Sequence, residues 1–166
     1  LERARLAGIP GFSFPKGQYP TAQALTAALV DKLRELRIDL VVMAGFLTIV
    51  TGELFQAYPN AVINVHPSLI PSFCGRGCYG LHVHEKALEY GVKVSGATVH
   101  FVTEECDAGP IILQKAVEVL PDDTPETLQR RIMELCEWQL LPRAVSLFCQ
   151  GRLKVEGRIV RILEEG

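Results

Sequence analysis

Ile38-Asp39-Leu40-Val41-Val42-Met43 is the stretch on which the reading of the fold turns. Apart from one acid it is apolar and rich in β-branched residues, with no polar alternation. That is how a strand buried on both faces reads, and such strands belong to parallel sheets covered by helices. Upstream, Thr21 stands as an N-cap before Leu25, Leu29, Leu33 and Leu36, which recur at helical spacing beside Asp31, Lys32 and Arg34. Downstream, Thr51 opens a short helix containing Leu54 and Phe55, Pro59-Asn60 breaks it, and residues 61–65 form a second apolar strand. This alternation predicts an α/β fold with a mostly parallel central sheet and helices on both faces.

The rest of the chain extends the pattern. Residues 81–90 read as a helix with Gly91 at its C-terminal cap, followed by strands near 94–102 and 111–119 whose alternation marks an antiparallel or edge portion. Asp123-Thr124-Pro125-Glu126 puts a capping residue before a proline at the first helical position and opens a long helix running to about residue 150, with a bend expected at Pro142. Gly151 ends it, and two short strands flank Gly157. Residues 1–166 are expected to form one domain. Leu1-Glu2-Arg3-Ala4-Arg5-Leu6-Ala7 reads as helix interior stopped by Gly8, and the chain begins with Leu rather than Met, so the domain is expected to be incomplete at its N-terminus.

With 166 residues, 48% of them hydrophobic and 22% charged, the chain is long enough to bury a core without crosslinks. A formal net charge of −2 gives no basic field for nucleic acid, and no apolar run is long enough for a membrane helix. Five cysteines, an odd number with no signal-peptide pattern before them, predict reduced thiols and a cytoplasmic protein.

The segment richest in chemistry is Asn64-Val65-His66-Pro67-Ser68-Leu69-Ile70-Pro71. Residues two apart on a strand share a face, and ligands of open α/β sheets bind beyond the carboxyl ends of the strands, so Asn64 and His66 would project together into the expected crevice. An amide can donate to a carbonyl oxygen that is becoming an oxyanion, and an imidazole can carry a proton between an attacking amine and a leaving nitrogen. The pair therefore suits acyl transfer to an amine. Asn64 capping a turn before Pro67, with His66 merely in a loop, fits the spacing equally. Asp107, in Thr103-Glu104-Glu105-Cys106-Asp107-Ala108-Gly109-Pro110, could bring a carboxylate beside His66 and favour its charged form, or could form an Asx turn before Gly109-Pro110. Proximity to His66 decides between these.

Three blocks in order, Val42-Met43-Ala44-Gly45-Phe46-Leu47, Asn64 through Pro71, and His100-Phe101-Val102 through Asp107-Ala108-Gly109-Pro110, resemble the folate-dependent glycinamide ribonucleotide formyltransferases of purine synthesis. The resemblance spans residues 1 to about 153. It implies a Rossmann-like formyltransferase fold with an antiparallel C-terminal part. It also implies that the amine of glycinamide ribonucleotide attacks the formyl carbon of 10-formyltetrahydrofolate. Asn64 would then hold the carbonyl oxygen, His66 the proton, and Asp107 would tune His66 and order a water. The same match implies folate contacts from Leu47, Thr48, Ile49 and Val50, from Asn64 and Val102, and from Thr103, Glu104, Glu105, Cys106 and Asp107. Substrate contacts would come from Val65, Pro67, Glu134 and Glu137. No metal is required, and a homodimer is left open.

Pro67 separates the chain from the formyltetrahydrofolate deformylases, which usually carry a second His there. The tRNA-directed formyltransferases have an Arg-rich continuation where this chain has Ser72-Phe73-Cys74-Gly75-Arg76-Gly77-Cys78-Tyr79-Gly80. The family's opening strand and Gly-rich phosphate loop have no counterpart, and Thr48 and Ala22 stand where relatives often have arginines for the folate tail. A truncated fragment that binds folate without catalysing transfer is therefore the competing expectation. Cys74, Cys78, His82 and His84 have zinc-ligand chemistry, but the two histidines lie about 200° apart on a helix and reach one ion only if it unwinds. The bland alternative is a Gly-rich loop over the site with reduced thiols. No G-x-G-x-x-G supports a dinucleotide cofactor.

Overall fold

The structure, a computed structural model, describes residues 1–46 and 48–164. At its centre is a six-stranded sheet in the order β1-β2-β3-β4-β6-β5. The strands are β1 (Val41–Met43), β2 (Val62–His66), β3 (Val94–Phe101), β4 (Ile111–Glu118), β5 (Leu153–Glu156) and β6 (Ile159–Ile162). The α/β class is as expected, and so is the antiparallel β3–β4 pair. The balance of directions is not: β1–β2 and β4–β6 are parallel, while β2–β3, β3–β4 and β5–β6 are antiparallel. Apolar runs cannot reveal this, because a central strand such as β3, buried from Ser95 through Phe101, reads the same whichever way its neighbours run.

The deciding stretch is also shorter than its hydrophobicity implies. Arg37 adopts a positive φ and Ile38 N–H still bonds Leu33 O, so these residues finish the preceding helix rather than start the strand. Nor is β1 buried on both faces. It lies at the sheet edge, and Val42 is 41% exposed.

Helices cover both faces, as expected. A short α1 (Glu2–Leu6) precedes α2 (Ala22–Glu35), which Thr21 caps by accepting Ala24 N–H at 3.1 Å. Val30 of α2 and Leu54 and Tyr58, in and just beyond α3 (Gly52–Ala57), pack against Met43 and Val62. Thr51 holds the N-cap position of α3, yet its buried hydroxyl makes no capping bond. On the opposite face, Leu128, Ile132, Cys136, Leu140 and Ala144 pack on Ile63, Ala97, Val99, Phe101 and Ile112. Each large side chain buried there contributes about 1.5–3 kcal/mol of transfer free energy. Alternation along β2 sends Val62, Asn64 and His66 to one face and Ile63 and Val65 to the other. The site side chains thus follow Val62 on the face covered by α2 and α3, with an apolar face behind them.

α4 (Leu81–Tyr90) ends at Gly91, whose φ of 80° only glycine adopts freely. The C-terminal helix does not bend at Pro142 as a single unit. It runs as α5 (Pro125–Ile132), a π-helical segment at Met133–Glu137 and α6 (Trp138–Cys149), with Pro142 inside α6. The departure from α geometry thus falls one turn before the proline.

Its N-terminus is tightly built: Thr124 and Thr127 form a reciprocal capping box, and Asp123, with a side chain 2% exposed, takes both Arg131 guanidinium nitrogens. Those bonds, with help from Leu120 N–H and Thr127, hold the Asp123 carboxyl down to about 2. A depressed folded-state pKa means the stabilisation is complete above the unfolded value, about 3.9, and is lost as pH falls through 2. Asp123→Asn should therefore destabilise the protein at pH 6, with the difference from wild type shrinking between pH 4 and pH 2 in urea denaturation. A difference independent of pH would contradict this.

Candidate active site

Asn64 and His66 sit at the carboxyl end of β2, where Asn64 pairs across the sheet with Met43 on one side and His100 on the other. The Asn64 side-chain amide faces His100 Nε2 at 3.2 Å. His100 is 1% exposed, and its Nδ1 lies 2.8 Å from the Phe101 carbonyl, which can only accept. That fixes the tautomer: Nδ1 carries the proton and Nε2 accepts from Asn64. Burial, set against the Phe101 bond and the Asp107 charge, pushes His100 down, so it stays neutral. A neutral imidazole thereby orients the amide, leaving its second N–H free.

His66 is 5% exposed. Its Nε2 donates to the Phe73 carbonyl at 2.9 Å, which turns Nδ1 toward Asp107 Oδ2 at 3.7 Å. Asp107 Oδ1 is also 3.7 Å from His100 Nε2, so one carboxylate stands between the two histidines. The approach depends on the loop joining β3 to β4. Asp107 has φ 54°, a left-handed conformation that Asp tolerates, and its Oδ2 accepts Gly75 N–H at 2.8 Å. Two residues on, a Cβ at Gly109 would lie 1.7 Å from the Phe101 carbonyl, so only glycine lets the loop fold back against the end of β3. Of the two readings of Asp107, the structure places it beside His66.

His100 is the residue that sequence reasoning missed. Its signal was available only in part: a histidine two positions from Thr98 within an otherwise apolar strand. What it touches follows from the β2–β3 register, which sequence does not carry.

The other expected residues fall into three groups. Thr48, Ile49 and Val50 lie between β1 and α3, and Leu47 lies outside the described residues. Thr51 N–H bonds Thr26 Oγ1 at 3.0 Å, tying this connection to α2. Val102 N–H bonds Val62 O at 2.8 Å, and Thr103, Glu104, Glu105 and Cys106 continue from it to Asp107. The two connections touch, because a Cβ at Gly52 would fall 1.8 Å from the Glu104 carboxylate. They therefore adjoin each other where Gly52 meets Glu104. Val65 points to the apolar face instead, and Pro67 follows His66 directly. Glu134 is exposed, while Glu137 is partly buried and has no partner among the described residues; burial raises its pKa. Neither glutamate contacts Asn64, His66 or Asp107 through a hydrogen bond or ion pair.

Cys74, Cys78, His82 and His84 do not converge. Cys74 Sγ donates to Pro71 O at 3.2 Å, Cys78 Sγ accepts from Lys86, and His82 pairs with Glu85 at 2.8 Å. His84 is fully buried without a partner for either nitrogen, and burial followed by the His66 charge lowers it to about 4. Among the described residues no three metal-ligating side chains gather at one point. A cleft of about 360 Å³ between α2 and α3, lined in part by Asp31, Arg34, Glu53 and Gln56, lies apart from the trio.

A strand-end amide and imidazole thus stand with a loop carboxylate at one end of a mixed α/β sheet. The chain belongs to the formyl transferase family, whose model matches residues 1–145. It is 44% identical over 154 residues to the chloroplastic phosphoribosylglycinamide formyltransferase of Arabidopsis thaliana, covering 92% of this chain and 52% of that protein. The Bacillus subtilis phosphoribosylglycinamide formyltransferase is 42% identical over 135 residues, covering 81% of this chain and 67% of that protein. The chain spans about half the length of the plant relatives it matches. Among solved structures, glycinamide ribonucleotide transformylase 1 from Symbiobacterium toebii superposes with a TM-score of 0.91 at 48% identity, covering 98% of this chain and 74% of that one. A formyltetrahydrofolate deformylase from Pseudomonas syringae has a TM-score of 0.82 at 28% identity over 98% of this chain and 52% of its own.

Proposed function

We propose that the protein transfers the formyl group of 10-formyltetrahydrofolate to the amine of glycinamide ribonucleotide. The observation that carries this is the convergence of Asn64, His66 and Asp107, with His66 Nδ1 3.7 Å from the carboxylate and the Asn64 amide oriented by His100. The amine nitrogen attacks the formyl carbon, forming the new C–N bond and placing negative charge on the carbonyl oxygen, where the free N–H of Asn64 meets it. The amine's proton passes to His66, whose positive charge then faces Asp107, and goes on to the folate nitrogen as the old C–N bond breaks. Nε2 is the nitrogen turned away from Asp107, so it meets the amine only when the Phe73 carbonyl gives way and the ring proton moves to Nδ1, where it faces Asp107.

The two touching connections around Thr48, Ile49, Val50 and Thr103 to Cys106 supply walls for the pteridine, and no metal takes part. Higher identity to the ribonucleotide enzymes than to the deformylase supports amine over water as acceptor. The five unpaired cysteines support a reducing, cytoplasmic setting. No helix among the described residues is long and apolar enough to cross a membrane.

Glu137 is the candidate contact for the substrate amine or ribose, since a partly buried carboxyl with no partner among the described residues is ready to accept a donor. Glu137→Gln should raise the KM for glycinamide ribonucleotide about tenfold and leave the KM for the folate unchanged. Equal effects on both would move Glu137 out of the substrate site. The reaction is tested by supplying 10-formyltetrahydrofolate with and without glycinamide ribonucleotide and resolving the products. Formylated ribonucleotide formed only with the amine is expected; formate released equally in both would favour the deformylase reading.

A further inference from the structure

We infer that Gln114 is a positioning residue for His66 and Asp107, acting through Thr98 and the loop that follows His66; the kinetic part of this rests on the formyl-transfer reading. His66, Thr98 and Gln114 are direct cross-strand partners on β2, β3 and β4, so their side chains form one row on the site face. After His66 the chain leaves the sheet, and the backbone groups of residues 68–70 lose their ladder partners while staying buried: Ser68 is 1% and Ile70 7% exposed. Two side chains replace the ladder. The Thr98 hydroxyl donates to Ser68 O at 2.7 Å and accepts Ile70 N–H at 3.1 Å. The Gln114 amide donates one hydrogen to Thr98 Oγ1 at 2.9 Å and the other to Ile70 O at 3.0 Å. Both hydrogens are used, and so are both lone pairs of the Thr98 oxygen.

The loop so held carries the two backbone groups that orient the reacting side chains. Phe73 O accepts from His66 Nε2, and Gly75 N–H donates to Asp107 Oδ2. Ser68 Oγ and Ser72 N–H, bonded to Ser72 O and Leu69 O, brace the turn between. Without Gln114 the buried Ile70 carbonyl has no donor, and the loop shifts to find one, taking Phe73 and Gly75 with it. Such a shift alters the His66–Asp107 geometry while leaving both residues in place. A displacement of about 1 Å is enough to lower turnover strongly without removing any reacting group.

Gln114→Met keeps the side-chain length and removes both donors; Lys115→Met, on the same strand and bonded to Gln139, is the control. The test has two readouts: formyl-transfer kinetics, and the His66 ring resonances followed by NMR across pH. Gln114→Met is expected to lower kcat about tenfold with the folate KM little changed, and to displace the His66 titration curve, while Lys115→Met does neither. A His66 curve identical to wild type in Gln114→Met would overturn the inference, as would an unchanged kcat in an active protein. Absence of formyl transfer in the wild type would instead refute the proposed reaction, and the NMR arm would still decide the role of Gln114.

Discussion

Replacing His66 with alanine is expected to lower turnover by about a hundredfold or more, because the imidazole proposed to carry the proton from amine to folate is then gone. The neighbours support this. His100 is kept neutral by burial and spends its Nδ1 proton on Phe101 O, and His84 is fully buried and held near pKa 4. Neither can take over the shuttle at neutral pH. Binding of a folate analogue should survive the change, since the adjoining walls at 48–50 and 103–106 are tied through Thr26, Val62 and Glu104 rather than through His66. Turnover within a fewfold of wild type would remove His66 from the chemistry.

The second large effect is expected at Asn64. Asn64→Ala removes the donor aimed at the developing oxyanion, and losing one such donor typically lowers kcat by about 10²–10³. It also strips His100 Nε2 of its partner, so a modest loss of stability should accompany the kinetic defect. The kinetic loss should fall on kcat, with the KM for either substrate changing little. A variant that loses affinity but keeps kcat would recast Asn64 as a binding residue.

Much of this site can be traced to local sequence rules. The placing of Asn64 and His66 on one face at a strand end needs only the period of two and the end of the apolar run, both of which act within a few residues. Thr21, Thr124 with Pro125, and Gly91 announced helix ends for the same reason: caps are satisfied by neighbours in the chain. What could not be read depends on distant pairing. Asp107 reaches His66 because Gly109 lets the β3–β4 loop fold back on Phe101 and because Gly75 N–H, from another loop, fixes the carboxylate. His100 acquires its role from the β2–β3 register. The direction of β3 relative to β2 and β4 is invisible for a strand buried along nearly its whole length. The π segment at Met133–Glu137, whose Cys136 packs in the core against the sheet, is marked by no local sequence rule.

The central claim is that His66 and Asp107 act as one unit, and a double-mutant cycle on the rate of formyl transfer tests it most directly. His66→Ala, Asp107→Asn and the double variant should show strongly non-additive losses, the double variant being little worse than His66→Ala alone, because a carboxylate that works only through the imidazole has nothing to act on once the ring is gone. Losses that multiply independently would contradict the account.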